Sequence, residues 1–318
     1  MISENIDFTI SPTWSDNDFL AVQNEYRQAN KNSNILADFG FVNNYKSTTT
    51  KEKNTLSHFF LNYDLDLNLE NFKTSKLFIS TEQVSNDTYL KVFDTYITKS
   101  EARPNNLNVL NNQIKLNLSN EKYSLESGFL AYEDLNIDKS SDRYQYILPY
   151  YNFDTVLENS YFDGSISLSS SGSNNLSKTN KLKSSIINDI RYNSDGFISN
   201  IGTKNNFNII LKNLNSLGKN NTDYKSSPQV ELLTMFEANT SLPLIKKQKN
   251  YDNYLTPKLS FRFNPSDMKN YSTSSKKIGV ENIFSMNRLG LSDSFEKGRS
   301  LTLGLDYRKE NNDLEEIN

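Results

Sequence analysis

The chain has 318 residues, with 35 Lys plus Arg against 38 Asp plus Glu and a formal net charge of -3; no basic block is interleaved with stacking aromatics, which argues against a nucleic-acid partner. It contains no cysteine, which removes thiol nucleophiles, thiolate metal sites and disulfides together. Mean hydropathy is -0.67, a value that leans toward disorder, yet 19 Phe and 18 Tyr fall largely at alternating positions, and alternation conceals a continuous apolar surface inside a polar average. No run approaches the roughly 18 apolar residues of a spanning helix. The start, MISENIDF, lacks the charged, apolar and small-residue segments of a secretory signal. If the chain is an exported barrel, it is a piece of a longer one.

In chain order, Ile6, Phe8, Ile10 and Trp14 share one face of a first strand with Pro12 among them. Proline cannot donate to a ladder, so Pro12 fits an edge strand, a strand end or a bulge. Phe19 to Arg27 reads as a second strand and Ile35 to Tyr45 as a third, followed by the polar tract Lys46 to Asn54. From Ser57 to Leu69, Phe59, Leu61, Tyr63, Leu65, Leu67 and Leu69 alternate with residues that are polar save Phe60. Period two places the two sets on opposite faces of an extended chain, and the run matches the roughly 9–11 residues that carry a tilted strand across a bilayer.

Leu77 to Thr81, Tyr89 to Ile97, Ile114 to Leu118, Tyr123 to Tyr132 and Tyr144 to Phe153 continue the strand pattern, with a charged surface loop at Glu133 to Arg143. Gly164 to Leu168 alternates, whereas Gly172 to Lys183 has little to bury and reads as a solvated loop. Ser184 to Tyr192 and Phe207 to Leu214 alternate loosely and leave helix or strand open. Val230 to Leu244 and Leu255 to Phe263 are strands, Asn264 to Lys277 a polar insert, and Leu301, Leu303, Leu305 and Tyr307 mark a last strand before the acidic stretch Glu310 to Asn318. The expectation is all-β: an antiparallel transmembrane β-barrel, incomplete, with roughly 12–16 strands of a larger barrel. It occupies residues 1–309, with a polar tail at 310–318. A soluble sandwich or solenoid shares the alternation and is the competing architecture.

The block NIFSMNRLGLSDSFEKGRSLTLGLDYR, Asn282 to Arg308, resembles the LptD family of lipopolysaccharide-assembly outer-membrane proteins, also called organic solvent tolerance proteins. The residues carrying the resemblance are Asn282, Ile283, Phe284, Asn287, Arg288, Asp293, Glu296, Gly298 and Gly304. Three further segments agree in the family's order: IDFTISPTW with NEYR, VSNDTYLK, and SDRYQYILPYYNF. The resemblance covers about Asn5 to Arg308 and implies a non-enzymatic translocon that passes lipopolysaccharide through a barrel and sideways into the outer leaflet. It further implies an LptE-like lipoprotein plug, a preceding periplasmic jelly-roll domain absent from this stretch, and periplasmic bridge proteins reached through that domain. Pro12 matches the family's Thr-x-Pro segment and is the lateral-gate candidate; its alternative is a plain strand-end proline. A general porin or receptor-type transporter is the runner-up function.

Sites of chemistry are few. His58 is the sole histidine and stands on the polar face of its strand, where no motif supplies a nucleophile and an orienting partner, so a barrel lipase is the remote enzyme reading. Asp64, Asp66 and Asn68 open like a calcium loop, but Leu69 and Ser75 stand where Gly and Glu are required. Solvated carboxylates of a barrel interior explain them, and no metal or cofactor is expected. Lys246, Lys247 and Lys249 read as a solvated turn, with lipopolysaccharide phosphates as the alternative contact.

Overall fold

A computed structural model describes residues 3–14, 19–46, 53–95, 100–138, 141–157, 163–267 and 277–311. The chain is all-β. Its strands are β1 (Ile6–Trp14), β2 (Leu20–Ala29), β3 (Ser33–Lys46), β4 (Lys53–Asp66), β5 (Thr74–Val84), β6 (Val109–Ser119), β7 (Tyr123–Asp134) and β8 (Tyr144–Leu157). They continue with β9 (Gly164–Ser177), β10 (Lys181–Ser194), β11 (Phe197–Ile198), β12 (Lys204–Lys219), β13 (Gln229–Ser241), β14 (Leu244–Lys247), β15 (Tyr251–Asn264) and β16 (Gly298–Asn311). Neighbours in sequence are neighbours in one antiparallel sheet, β1 through β10, then β12, β13 and β15; β14 and β16 both pair with β15, and β11 with β12. The chain divides into two compact units: Met1–Phe153 with Ser171–Ser185 and Ser216–Pro228, and Asp154–Ser170 with Ile186–Asn215 and Gln229–Asn318.

In the first unit, cross-strand partners share a face, so the register sorts the side chains. Ile10, Asn24, Phe39 and Phe59 form one row, and Phe8, Tyr26, Ala37 and Leu61 the next. This face leaves Ile10, Phe39, Phe41 and Phe59 exposed, as it does Ile114 and Phe129 on the β6–β7 pair. The opposite face carries Gln23, Gly40 and His58 in one row and Glu25, Asp38 and Phe60 in another. Asp38, His58 and Phe60 are buried. The usual arrangement of a soluble sheet is thus inverted: the apolar face is bare and the polar face is covered. Among the described residues the cover comes from 85–95 and 100–108 of the β5–β6 connection, which departs from the same strand ends as the β7–β8 connection, whereas 30–32 and 120–122 at the other ends are tight turns.

In the second unit, β15 is paired along its whole length with β16, from Tyr251 opposite Asn311 to Asn264 opposite Gly298. Leu301, Leu303, Leu305 and Tyr307 lie on one face and are all more than 60% exposed, while Thr302 on the other is buried. Residues 277–297 cover the buried face between β15 and β16, and the turns at the opposite strand ends, such as 248–250, are short.

Several sequence expectations change. The strand expected from Tyr89 is absent over its described part: Tyr89–Val92 is a helical turn, α1, and Tyr96 and Ile97 lie outside the described residues. Asn86 starts it, its side-chain oxygen accepting from the Thr88 amide at 2.9 Å and hydroxyl at 2.7 Å. Tyr89 and Phe93, four apart, then meet with ring centroids 5.0 Å apart, a helical rather than a period-two contact. The Gly172 to Lys183 stretch is not a loop either; β9 runs to Ser177 and β10 resumes at Lys181, with Lys178 and Thr179 both at positive φ in the hairpin turn. Its Ser and Asn side chains hold it by bonding across strands, Ser184 Oγ to Asn174 at 2.5 Å and Gln145 to Asn175 at 3.3 Å.

The two loosely alternating segments, open between helix and strand by sequence, are strands within β10 and β12. β4 ends at Asp66 rather than Leu69, where Asn68 turns the chain at φ 50. Lys246 and Lys247 belong to a strand, β14, and only Lys249 to the turn. The polar tail begins later than expected, since β16 extends to Asn311; the rest of the tail lies outside the described residues.

Candidate functional site: two inserts pinned to the polar face

The first unit's insert is pinned by the only histidine. His58 Nε2 lies 3.0 Å from Asp38 Oδ1, and Nδ1 lies 2.6 Å from the Tyr89 hydroxyl. A carboxylate only accepts, so Nε2–H donates to Asp38; in the neutral imidazole Nδ1 then accepts from Tyr89 O–H. Gln23 Nε2 donates to the second Asp38 oxygen at 2.8 Å. The imidazole stacks on Phe60 at 4.6 Å. Burial, and then the charge of Asp38, push the Tyr89 phenol well above its ordinary value.

Gly40 is required here. A Cβ at that position would come within 2.6 Å of His58 Cε1 and 2.8 Å of the Val22 carbonyl. The missing side chain lets the imidazole lie across β3. Around the pin, Phe93 packs edge-on against Phe19 at 5.9 Å and Tyr45 at 5.2 Å, closing a core with Leu90, Leu110 and Leu135. Sequence reasoning found no orienting partner for His58; the fold supplies Asp38 and Tyr89. Both ring nitrogens are engaged and the side chain is 1% exposed, a geometry that fastens the insert to the sheet.

The second unit's insert is held by two buried cations rising from strands. Lys212 Nζ on β12 donates to Asp189 at 2.6 Å and to the Ser292 carbonyl at 2.8 Å, and sits 5.1 Å over the Phe295 ring. Arg262 Nη2 on β15 donates to the Met286 carbonyl at 2.5 Å, and its Nη1 lies 3.4 Å from Glu296. Each cation thus grips a backbone carbonyl of the insert. Phe295 and Met286 fill the space against Ile210, Leu233 and Met235.

The residues of the Asn282 to Arg308 block singled out in the sequence build this insert. Asn282 folds a turn, accepting from the Gly279 amide at 2.8 Å and donating to the Lys277 carbonyl at 2.9 Å. Asn287 donates to the Leu291 carbonyl at 2.7 Å. Arg288 makes a fork with Glu296, at 2.8 and 2.7 Å, which closes the loop on itself. Asp293 accepts from the Ser294 hydroxyl at 3.5 Å. Gly298 opens β16 at φ 107, in the left-handed half of backbone space. Phe284 packs under Gly304, where an added Cβ would stand 2.5 Å from its ring. The motif is one contiguous structural unit, a loop and the strand that receives it.

Elsewhere the expected sites are apart from these. Pro12 lies within β1, opposite Val22 in an unbroken ladder, so it is neither at a strand end nor in a bulge. β1 is the first strand of the sheet order. Asp66 accepts from the Asn68 amide at 3.1 Å and serves the turn after β4. Sequence reasoning missed Asp38, Asp189, Lys212 and Arg262. Their signal was a charge in mid-strand at the parity opposite the aromatics, as in Ala37-Asp38-Phe39 and Phe261-Arg262-Phe263. No family model matches the chain, and no curated protein does.

Proposed function

We propose that the chain is wall of an outer-membrane β-barrel of the LptD type, working in delivery of lipopolysaccharide to the outer leaflet. The observation that carries the membrane part is the bare apolar face: Phe39, Phe59, Ile114 and Phe129 in one unit, and Leu301, Leu303 and Leu305 in the other, stand exposed in rows. An apolar surface of that extent is unfavourable in water and natural in lipid, where strands satisfy their backbone groups sideways. In each unit the longest connection leaves one strand end and short turns, such as 120–122 and 248–250, close the other, the sense expected of the outer and periplasmic ends of such barrels. On this reading the polar face of each unit is the one turned from lipid, and each unit's insert covers its own. The LptD part rests on the motif residues, which behave as one packed unit rather than as a scattered coincidence. On this reading Pro12, in the first strand, weakens the ladder where a lateral gate opens, and an LptE-like lipoprotein takes the remaining lumen.

Two measurements test this. Heat-modifiable migration of the folded protein in detergent is expected for a membrane barrel; its absence counts against one. Depletion of the full-length protein in its native cell should leave lipopolysaccharide at the inner membrane. Unchanged surface lipopolysaccharide with reduced uptake of small solutes would instead favour a porin or receptor-type transporter.

A further inference from the structure

The exposed face of β14, β15 and β16 ends in two lysines flanking an asparagine. Lys246 pairs with Asn253, and Asn253 with Lys309, so the three stand side by side on that face. Beyond them along the strands come Leu244, Leu255 and Tyr307, then Pro257 with Leu305, Leu259 with Leu303, and Phe261 with Leu301. Lys309 Nζ lies 4.0 Å from the Tyr251 ring centroid. At the far end of the same stripe Arg299 covers Phe263 at 5.4 Å. The apolar band is therefore bracketed at both ends by a cation on an aromatic ring.

Its height is right for a bilayer. Arg299 and Lys309 are ten residues apart on one strand, roughly 33 Å along it. A tilt of about 40° reduces that to about 25 Å, the height of a barrel's apolar band. Charge is sorted as well: Asp252, Asp306 and Glu310 all take the other parity and face away from the lysines. Among the described residues neither Lys246 nor Lys309 has a carboxylate partner.

We propose that Lys246, Lys309 and Tyr251 form a binding edge for the anionic headgroups of phospholipid in the leaflet at the tight-turn end of the strands. The lysines supply the charge, Tyr251 holds Lys309 at headgroup level, and Leu244, Leu255 and Tyr307 meet the upper acyl chain. This site rests on the membrane reading above.

The test uses the full chain carrying Trp14→Phe and Leu305→Trp, which leaves one tryptophan in the middle of the band, folded into vesicles. Quenching by brominated phosphatidylcholine reports that the band faces lipid. Competition between brominated phosphatidylglycerol and phosphatidylcholine reports headgroup preference. Phosphatidylglycerol is expected to win by roughly fivefold per lysine, and Lys246→Gln/Lys309→Gln to bring the ratio near one. Lys247→Gln/Arg308→Gln, on the opposite face, should leave it unchanged, and heat-modifiable migration confirms that each variant folds. A ratio near one in the parent, or one that survives the double variant, overturns the headgroup site alone; no quenching by either lipid overturns the membrane reading and the site with it.

Discussion

Replacing His58 with leucine breaks the pin between the first insert and the sheet. The imidazole is 1% exposed and its partner Asp38 is fully buried, so His58→Leu removes one of two donors from a carboxylate that water cannot reach, Gln23 remaining as the other. It also leaves the Tyr89 hydroxyl without its 2.6 Å partner. Taking one hydrogen-bond donor from a buried carboxylate, and the acceptor from a buried phenol, costs about 2–4 kcal/mol. The shape is nearly kept, so a cavity contributes little. Urea unfolding in detergent micelles, followed by tyrosine fluorescence, should show that loss. Adding Asp38→Asn to His58→Leu removes the orphan charge and should recover at least about 1 kcal/mol. If His58→Leu changes stability by less than about 1 kcal/mol, or if Asp38→Asn makes it worse, the pin is not what holds the insert.

Gly40→Ala should destabilise by about 1–3 kcal/mol in the same assay, since the new methyl meets both the imidazole and a backbone oxygen. The raised Tyr89 phenol predicts an alkaline effect. A folded pKa above the unfolded value of 10.0 means that its contribution is complete below pH 10 and declines above it, by about 1.4 kcal/mol per pH unit. Tyr89→Phe should therefore flatten the loss of stability between pH 10 and 11 relative to the parent; parallel profiles would contradict the burial argument. Glu296→Gln should loosen residues 277–297, read as faster limited proteolysis there with the sheet intact, because the fork with Arg288 and the contact with Arg262 both depend on that carboxylate.

The strand pattern was legible because two-residue periodicity is a local property. β4 and β16 could be read from their own residues, and the face assigned to Phe59 and Leu61 is the one left bare. What escaped was non-local. The composition of Gly172 to Lys183 points to a loop, yet Asn174 and Ser184 hold their strands by bonds to each other, which no single segment reveals. The segment after Asn86 looks extended because its aromatics are frequent, but Tyr89 and Phe93 are spaced for a helical turn. Asp38 and His58 lie 20 residues apart and Lys212 and Ser292 lie 80 apart; only the register brings such partners together. The motif residues were legible as a group, while the reason for each, such as the room that Gly304 leaves for Phe284, was not.

A barrel wall of this kind requires the bare apolar face to meet lipid. An arginine at Leu303, in the middle of the β16 stripe and 75% exposed, separates the possibilities by unfolding measurements in bilayers. If lipid covers that face, Leu303→Arg destabilises by about 2–4 kcal/mol, and Leu301→Arg and Tyr307→Arg by less as they near the band's edges. If the face meets water, all three stay within about 0.5 kcal/mol of the parent, and the membrane assignment is contradicted.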